Sequence, residues 1–193
     1  MVDADFTFDK DSHQFIIDGQ IWPSITQVLS AEGFINGQWY TEYSRNRGSY
    51  IHQIVHWHII DELDTDSIDP TLKPYYDAWL AFERDVGFVS IEVEQPRINR
   101  VYRFGGIPDH VALLNGKESI IDVKSGVDIP ATALQTAAQE ILIGKLLPRY
   151  SLQLKADGKY SLKHHTDRQD RKIFLSALAC YWWKINNNMT KWR

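Results

Sequence analysis

Apolar residues recur at helical spacing in three parts of this chain. The pattern predicts amphipathic helices over about 47–63, 131–146 and 168–185. Asp167 stands just before the last of these and is its expected N-terminal cap.

Two further helices are predicted from their starts. Ser24 and Gln27 form a capping box, in which each side chain satisfies a backbone N–H group of the other, so a helix should run from there to near Gly33. Pro74 stands at a favoured first-turn position and predicts a helix that continues to about Val86.

Alternating apolar and polar residues, separated by turn residues, predict the strands. The predicted strand regions are 5–9 and 13–17, a hairpin around Asp11-Ser12; the β-rich block 88–124; and 150–155 and 159–164, a hairpin about Asp157-Gly158. The order of elements is mixed rather than strictly alternating. This favours an α+β arrangement with a largely antiparallel or mixed sheet.

The composition excludes several classes of protein. A formal charge of -4 excludes a uniformly basic nucleic-acid coat, although an enzyme needs positive potential only along its substrate groove. The single cysteine, Cys180, excludes an intrachain disulfide and a cysteine-based zinc or iron–sulfur site. The acidic N-terminus lacks a secretory pattern, and no stretch approaches the length of a membrane span. We therefore expect a cytoplasmic protein without a membrane partner.

The most informative segment is a predicted hairpin whose strands flank Asn115-Gly116, the strongest short-range signal for a two-residue type I′ turn. With that turn in place, the register brings Asp109 directly across from Asp122. Strand alternation puts Lys124 on the same face as Asp122. Two facing carboxylates repel each other, and a divalent cation between them would reverse the sign of that interaction.

Oxygen ligands of this kind suit Mg²⁺, for which Mn²⁺ is expected to substitute. Such an ion activates water and polarises a phosphate, while Lys124 could hold the attacking water or offset negative charge. Asp109, Asp122 and Lys124 therefore predict hydrolysis of phosphodiesters. The alternative is that both acids are solvated strand residues near a turn. The apolar neighbours of Asp122 argue against it, because an unpaired carboxylate in a buried strand is costly.

The same residues resemble the motif of the PD-(D/E)XK nuclease superfamily, whose two halves stand here as Pro108-Asp109 and Asp122-Val123-Lys124. Gly48-Ser49-Tyr50-Ile51-His52 is similar to the helical G-x-x-x-H element of the RecB-like and phage-exonuclease branch. The segment from Gln135 to Gln139 is similar to the Q-x-x-x-Y element of that branch, with glutamine where tyrosine is usual.

The resemblance implies an α/β (α+β) fold of the restriction-endonuclease type, with a mixed central sheet flanked by helices on both sides. It covers nearly the whole chain and implies one nuclease domain over 1–193. Its expected parts are an N-terminal hairpin and helix (1–35), a catalytic core (45–146) and a C-terminal hairpin and helix (149–185).

The resemblance also extends the set of candidate site residues. The expected metal ligands are His52, Asp109, Asp122, the Val123 backbone carbonyl and Glu94, which lies on an alternating strand upstream of the hairpin. The expected DNA contacts are Gln135, which also joins the catalytic set, Gln139, and the basic residues Arg47 and Arg103. We expect His56 to be a packing or surface residue, and Tyr50 and Trp57 to pack in the core rather than stack on bases.

By resemblance, the expected activity is that of a DNA exonuclease in phage or prophage recombination, acting in the bacterial cytoplasm beside a single-strand annealing protein. An oligomer is left open. Two alternatives stand: a catalytically silent DNA-binding module of the same fold, and a metal-dependent phosphoesterase with a non-DNA substrate.

Overall fold

The chain forms five α-helices and ten strands within residues 6–9, 12, 14–37 and 41–189, which are the residues that the computed structural model describes. The helices are α1 (Ile25–Ala31), α2 (Glu42–Ile59), α3 (Lys73–Val86), α4 (Ala131–Ile143) and α5 (Gln169–Asn186). The strands are β1 (Phe6–Asp9), β2 (Gln14–Ile17), β3 (Gln20–Trp22), β4 (Val89–Val93), β5 (Arg97–Asn99), β6 (Phe104–Gly106), β7 (His110–Leu114), β8 (Lys117–Lys124), β9 (Arg149–Leu154) and β10 (Tyr160–His165). A short 3-10 helix spans Thr65–Ser67.

The main sheet has the strand order β10-β9-β8-β7-β4. Strands β8 and β9 are parallel and are joined through α4, whereas the other neighbours are antiparallel. The central strand β8 is buried along most of its length because both of its edges are paired and both of its faces are covered.

Helices cover both faces of this sheet. Ile121 and Val123 of β8 belong to a core with α2 and α3, in which Trp79 and Phe82 are fully buried. Asp122, between those two residues, contacts α4 on the other face. A second core joins α1, α4 and α5. The predicted fold class, a mixed sheet flanked by helices, is confirmed.

A smaller antiparallel sheet, β1-β2-β3, packs against the β5–β6 pair. The contact is so close that a side chain at Gly105 would place its Cβ 2.4 Å from Cγ of Phe15. The pairing of β1 with β2 agrees with the predicted hairpin, although positions 5, 11 and 13 of that prediction lie outside the described residues. The third strand, β3, was not predicted.

Several helix boundaries differ from those predicted, each for a local reason. Helix α2 begins at Glu42 rather than Arg47, because the Thr41 hydroxyl accepts a hydrogen bond from the Ser44 N–H at 3.1 Å. Helix α4 ends at Ile143, because Gly144 adopts φ +75°, a left-handed conformation that closes helices.

Other boundaries are confirmed. Ser24 and Gln27 form the expected capping box of α1. The Asp167 carboxylate accepts a hydrogen bond from the Gln169 N–H at 2.8 Å, at the start of α5. Among the helices of the described ranges, none is both long and apolar enough to cross a lipid bilayer.

Candidate metal and nucleic-acid site

The β7–β8 hairpin sets the position of the first acid. Asn115 (φ +49°) and Gly116 (φ +78°) have the two positive φ angles of a type I′ turn, and His110 pairs with Ile121. The predicted register is therefore confirmed. Asp109, one residue before β7, extends its carboxylate across to β8, where Oδ2 accepts a hydrogen bond from the Val123 N–H at 2.7 Å.

The second acid, Asp122, is fully buried at 0% exposure. Its Oδ1 accepts a hydrogen bond from the Gln139 side-chain amide at 3.0 Å, so α4 fixes the carboxylate from one side. Its Oδ2 lies 2.5 Å from Nζ of Lys124. Asp122 and Lys124 thus project to the same side of β8, as strand alternation predicts.

Lys124 links the buried acid to solvent. Its side chain is 26% exposed, and Nζ also donates to Oε1 of Gln135 at 3.3 Å. The amine is therefore held at the boundary between Asp122 and the open cleft, where it can act on a bound substrate.

Helix α2 brings histidines to the acids from the opposite side. His52 Nδ1 lies 3.9 Å from Asp109 Oδ2 and 3.8 Å from Glu94 Oε1. His52 therefore faces two of the expected metal ligands, Asp109 and Glu94. His56, one helical turn later, is 32% exposed and places its Nδ1 3.2 Å from Glu94 Oε2, so it contacts an expected metal ligand.

Glu94 owes its position to an irregular end of β4. Its φ of +47° lies in the left-handed region, which is uncommon for a residue other than glycine, and its N–H donates to the Asp109 carbonyl at 3.0 Å. The neighbouring acid Glu92 is instead paired with Arg97. Backbone strain of this kind is concentrated at functional sites.

Burial controls the protonation of this cluster. Burial raises the pKa of Asp109 to about 6. The nearby His52 opposes this increase, and the negative charge of Asp122 adds to it. Lys124 and the hydrogen bond from the Val123 N–H also oppose it. Burial lowers the pKa of His110 to about 3, and nearby His52 and His56 add to that effect. The His110 ring packs against Trp79 at a centroid distance of 5.4 Å.

Two adjoining clefts open onto these residues. One, of about 760 Å³, is lined by His52, Glu94 and Gln135 among others. The other, of about 290 Å³, shares His52 and Gln135 and adds Arg47 and Lys124. Together they give a substrate access to Glu94, His52 and Lys124, beside Arg47.

Of the two arginines expected to contact DNA, the structure places only Arg47 at a cleft of the candidate site. Arg47 lines the smaller cleft, with its guanidinium 5.6 Å from the centre of the Tyr75 ring. Arg103 instead stacks on Trp182, with its guanidinium 4.6 Å from the ring centre, and donates to Gln20 at 2.9 Å.

Gln139 lies in the wall of the larger cleft, but it is 1% exposed and its side-chain amide donates to Asp122. Tyr50 and Trp57, expected in the core, are 54% and 44% exposed, and that expectation was wrong.

The acids and His52 are of the ligand types that bind small divalent cations. Two ligands of one Mg²⁺, each about 2.0–2.1 Å from it, are at most about 4.2 Å apart, and both His52 contacts fall within that limit. The buried Oδ2 of Asp122 is paired with the Lys124 amine, so a cation at this oxygen would share it with Lys124. Within the described ranges, no group of three or more histidine, cysteine, aspartate or glutamate side chains is arranged to hold a metal ion. Binding would therefore draw these side chains together.

A solved structure with a similar fold is that of a "putative exonuclease" from Eubacterium rectale. It matches over 90% of this chain and 79% of that chain, with 12% sequence identity and a TM-score of 0.54. An alkaline exonuclease from Laribacter hongkongensis matches over 86% of this chain and 94% of that chain, with 14% identity, but its TM-score of 0.42 is too low to support an argument. No family profile and no curated protein sequence matches the chain. At these identities the likeness shows the fold alone.

Proposed function

We propose that this protein is a Mg²⁺-dependent nuclease that hydrolyses DNA phosphodiester bonds, with Mn²⁺ able to replace Mg²⁺. The observation that carries the proposal is the placement of Asp109 beside β8, with Asp122 and Lys124 on one side of that strand and His52 facing Asp109. This is the arrangement that metal-assisted phosphodiester hydrolysis requires.

Each residue of the site would have a distinct role in hydrolysis. The cation would be held by Asp109, Asp122, His52, Glu94 and the Val123 carbonyl. When bound, it stabilises negative charge and makes a bound water more acidic. Lys124 would hold the attacking water and offset the negative charge that develops on the phosphate. Gln139 fixes Asp122 through its side-chain amide, and Gln135 orients the Lys124 amine.

DNA would enter through the joined clefts. Arg47 is the cation placed to neutralise a phosphate there. We extend the proposal to exonuclease action in phage or prophage recombination, in the cytoplasm and beside a single-strand annealing protein. This extension rests on the motif resemblance, and its exonuclease part also on the similarity of fold to the putative exonuclease of Eubacterium rectale.

The test is cleavage of linear and circular DNA labelled at the 5′ or the 3′ end, with Mg²⁺ or with EDTA. The wild type should degrade linear DNA only when Mg²⁺ is present, and labelled ends should report polarity. Lys124→Ala should lower turnover by about 10²–10³-fold while leaving DNA affinity largely intact, because it removes one preorganised positive charge.

Lys145→Ala is the matched control. Lys145 also pairs with a carboxylate, that of Glu118 at 2.7 Å, but at the opposite end of β8. It should cut at the wild-type rate. Equal turnover of Lys124→Ala and the wild type would remove Lys124 from the catalytic set, and absence of cation-dependent cleavage in the wild type would refute the nuclease proposal.

A further inference from the structure

Helix α2 presents two imidazoles to the candidate site, and only one of them, His52, belongs to the ligand set proposed above. His56 lies four residues later, so both rings reach the same carboxylate, that of Glu94. The two histidine side chains are similarly exposed, at 30% and 32%.

The contact of His56 with Glu94 is the shorter of the two. Nδ1 of His56 lies 3.2 Å from Oε2, compared with 3.8 Å between Nδ1 of His52 and Oε1. Nδ1 of His56 is also buried, and among the described residues none is aligned for a hydrogen bond with it. This separation is that of an ion pair, and it also lies within the roughly 4.2 Å that two ligands of one small cation can span.

The backbone of Glu94 supports the same interpretation. Its left-handed φ of +47° and its hydrogen bond to the Asp109 carbonyl tie its position to that of a proposed metal ligand. This conformation turns the chain after β4 and holds the Glu94 carboxylate beside both histidines of α2.

We propose that His56 is a specificity-determining residue of the cation site: acting with Glu94, it supplies a second imidazole nitrogen and makes the site favour a first-row transition ion over Mg²⁺. The inference rests on the proposed cation site. Its chemical basis is that imidazole is a good ligand for transition ions, whereas Mg²⁺ prefers oxygen ligands and retains its waters.

The experiment is calorimetric titration of Co²⁺ and, separately, of Mg²⁺ into the full chain without DNA, for the wild type and His56→Asn. The visible absorption of bound Co²⁺ is recorded as well, because it reports nitrogen ligation. His56→Asn should weaken Co²⁺ binding by about 10- to 100-fold and should change Mg²⁺ binding much less. Its Co²⁺ spectrum should lose the contribution of one nitrogen.

His58→Asn is the matched control. His58 lies on the same helix, is 24% exposed and also contacts a glutamate, with Nε2 2.9 Å from Oε2 of Glu83, but it contacts none of the site residues described above. It should keep the wild-type affinities for both ions. Should His56→Asn fail to fold in a thermal melt, His56→Gln takes its place.

Two outcomes overturn the inference: an unchanged ratio of Co²⁺ to Mg²⁺ affinity in the His56 variant, or an equal loss of both ions. Cleavage of DNA by the wild type, measured separately, distinguishes this failure from failure of the nuclease proposal. Cleavage with a ratio that does not depend on His56 leaves the nuclease and removes the inference. If the ratio of Co²⁺ to Mg²⁺ affinity depends on His56 but the wild type does not cut DNA, the inference stands and the nuclease proposal is refuted.

Discussion

Asp109→Asn should stabilise the metal-free protein at neutral pH even though it removes a candidate catalytic group. The side chain is only 15% exposed, and its burial favours the protonated form. Asparagine has almost the same shape, and its carbonyl oxygen can still accept the hydrogen bond from the Val123 N–H. The substitution therefore removes a charge that the fold disfavours.

The magnitude follows from the pKa of Asp109, which is about 6 in the fold against an ordinary value of 3.8. Well below pH 3.8 the acid is protonated in both the folded and the unfolded chain, so it does not lower the free energy of unfolding. Between the two values the unfolded chain ionises first, so stability falls as the pH rises. Above about pH 6 the penalty is complete. It amounts to about 1–3 kcal/mol once partial solvent access is allowed for.

The assay is urea unfolding of the wild type and Asp109→Asn in EDTA from pH 4 to pH 8. The difference in the free energy of unfolding should be near zero at the acid end and should favour the variant by the stated amount at the other. Asp77→Asn, at an exposed position of α3, is the control and should show no such trend. Added Mg²⁺ should stabilise the wild type and not Asp109→Asn. A pH-independent difference between the two proteins would refute the reasoning.

Three further substitutions separate catalysis from stability. Gln139→Leu removes the amide that fixes Asp122 and should lower single-turnover cleavage by about 10- to 100-fold, with a thermal melt to check the fold. Gly105→Ala would force a methyl group against Phe15 and should lower the free energy of unfolding in urea by about 1–3 kcal/mol. Arg103→Ala should cost about 1–2 kcal/mol of stability and leave DNA affinity in a filter-binding assay unchanged; loss of affinity without loss of stability would restore its expected DNA contact.

The hairpin at the centre of the site was predictable because its geometry is local. Asn115-Gly116 determines the turn, the turn determines the register, and the register places Asp109 beside β8. The same holds for the cap of α1, where Ser24 and Gln27 lie three residues apart.

The roles of Gln139 and His56 depend on tertiary packing, so they could not be predicted from local sequence. Gln139 faces Asp122 only because α4 packs on the face of β8 that bears the acid. His56 reaches Glu94 only because the chain turns through a left-handed residue after β4. The spacing of His56 one turn after His52 was the available signal, but nothing in the sequence located the carboxylate beside it.

The parallel pairing of β8 with β9 has a consequence for when the site can form during synthesis. One edge of β8 is filled at once by β7, across a two-residue turn, but Asp122 pairs on its other edge with Ser151. At about 5–20 residues per second, the ribosome needs roughly two to six seconds to extend the chain from Lys124 to the end of β9. Until then neither β9 nor a docked α4 can shield Asp122. The nascent chain therefore carries both acids and the lysine for seconds before they are organised, and the site can form only when the chain has been made to the end of β9 at Leu154.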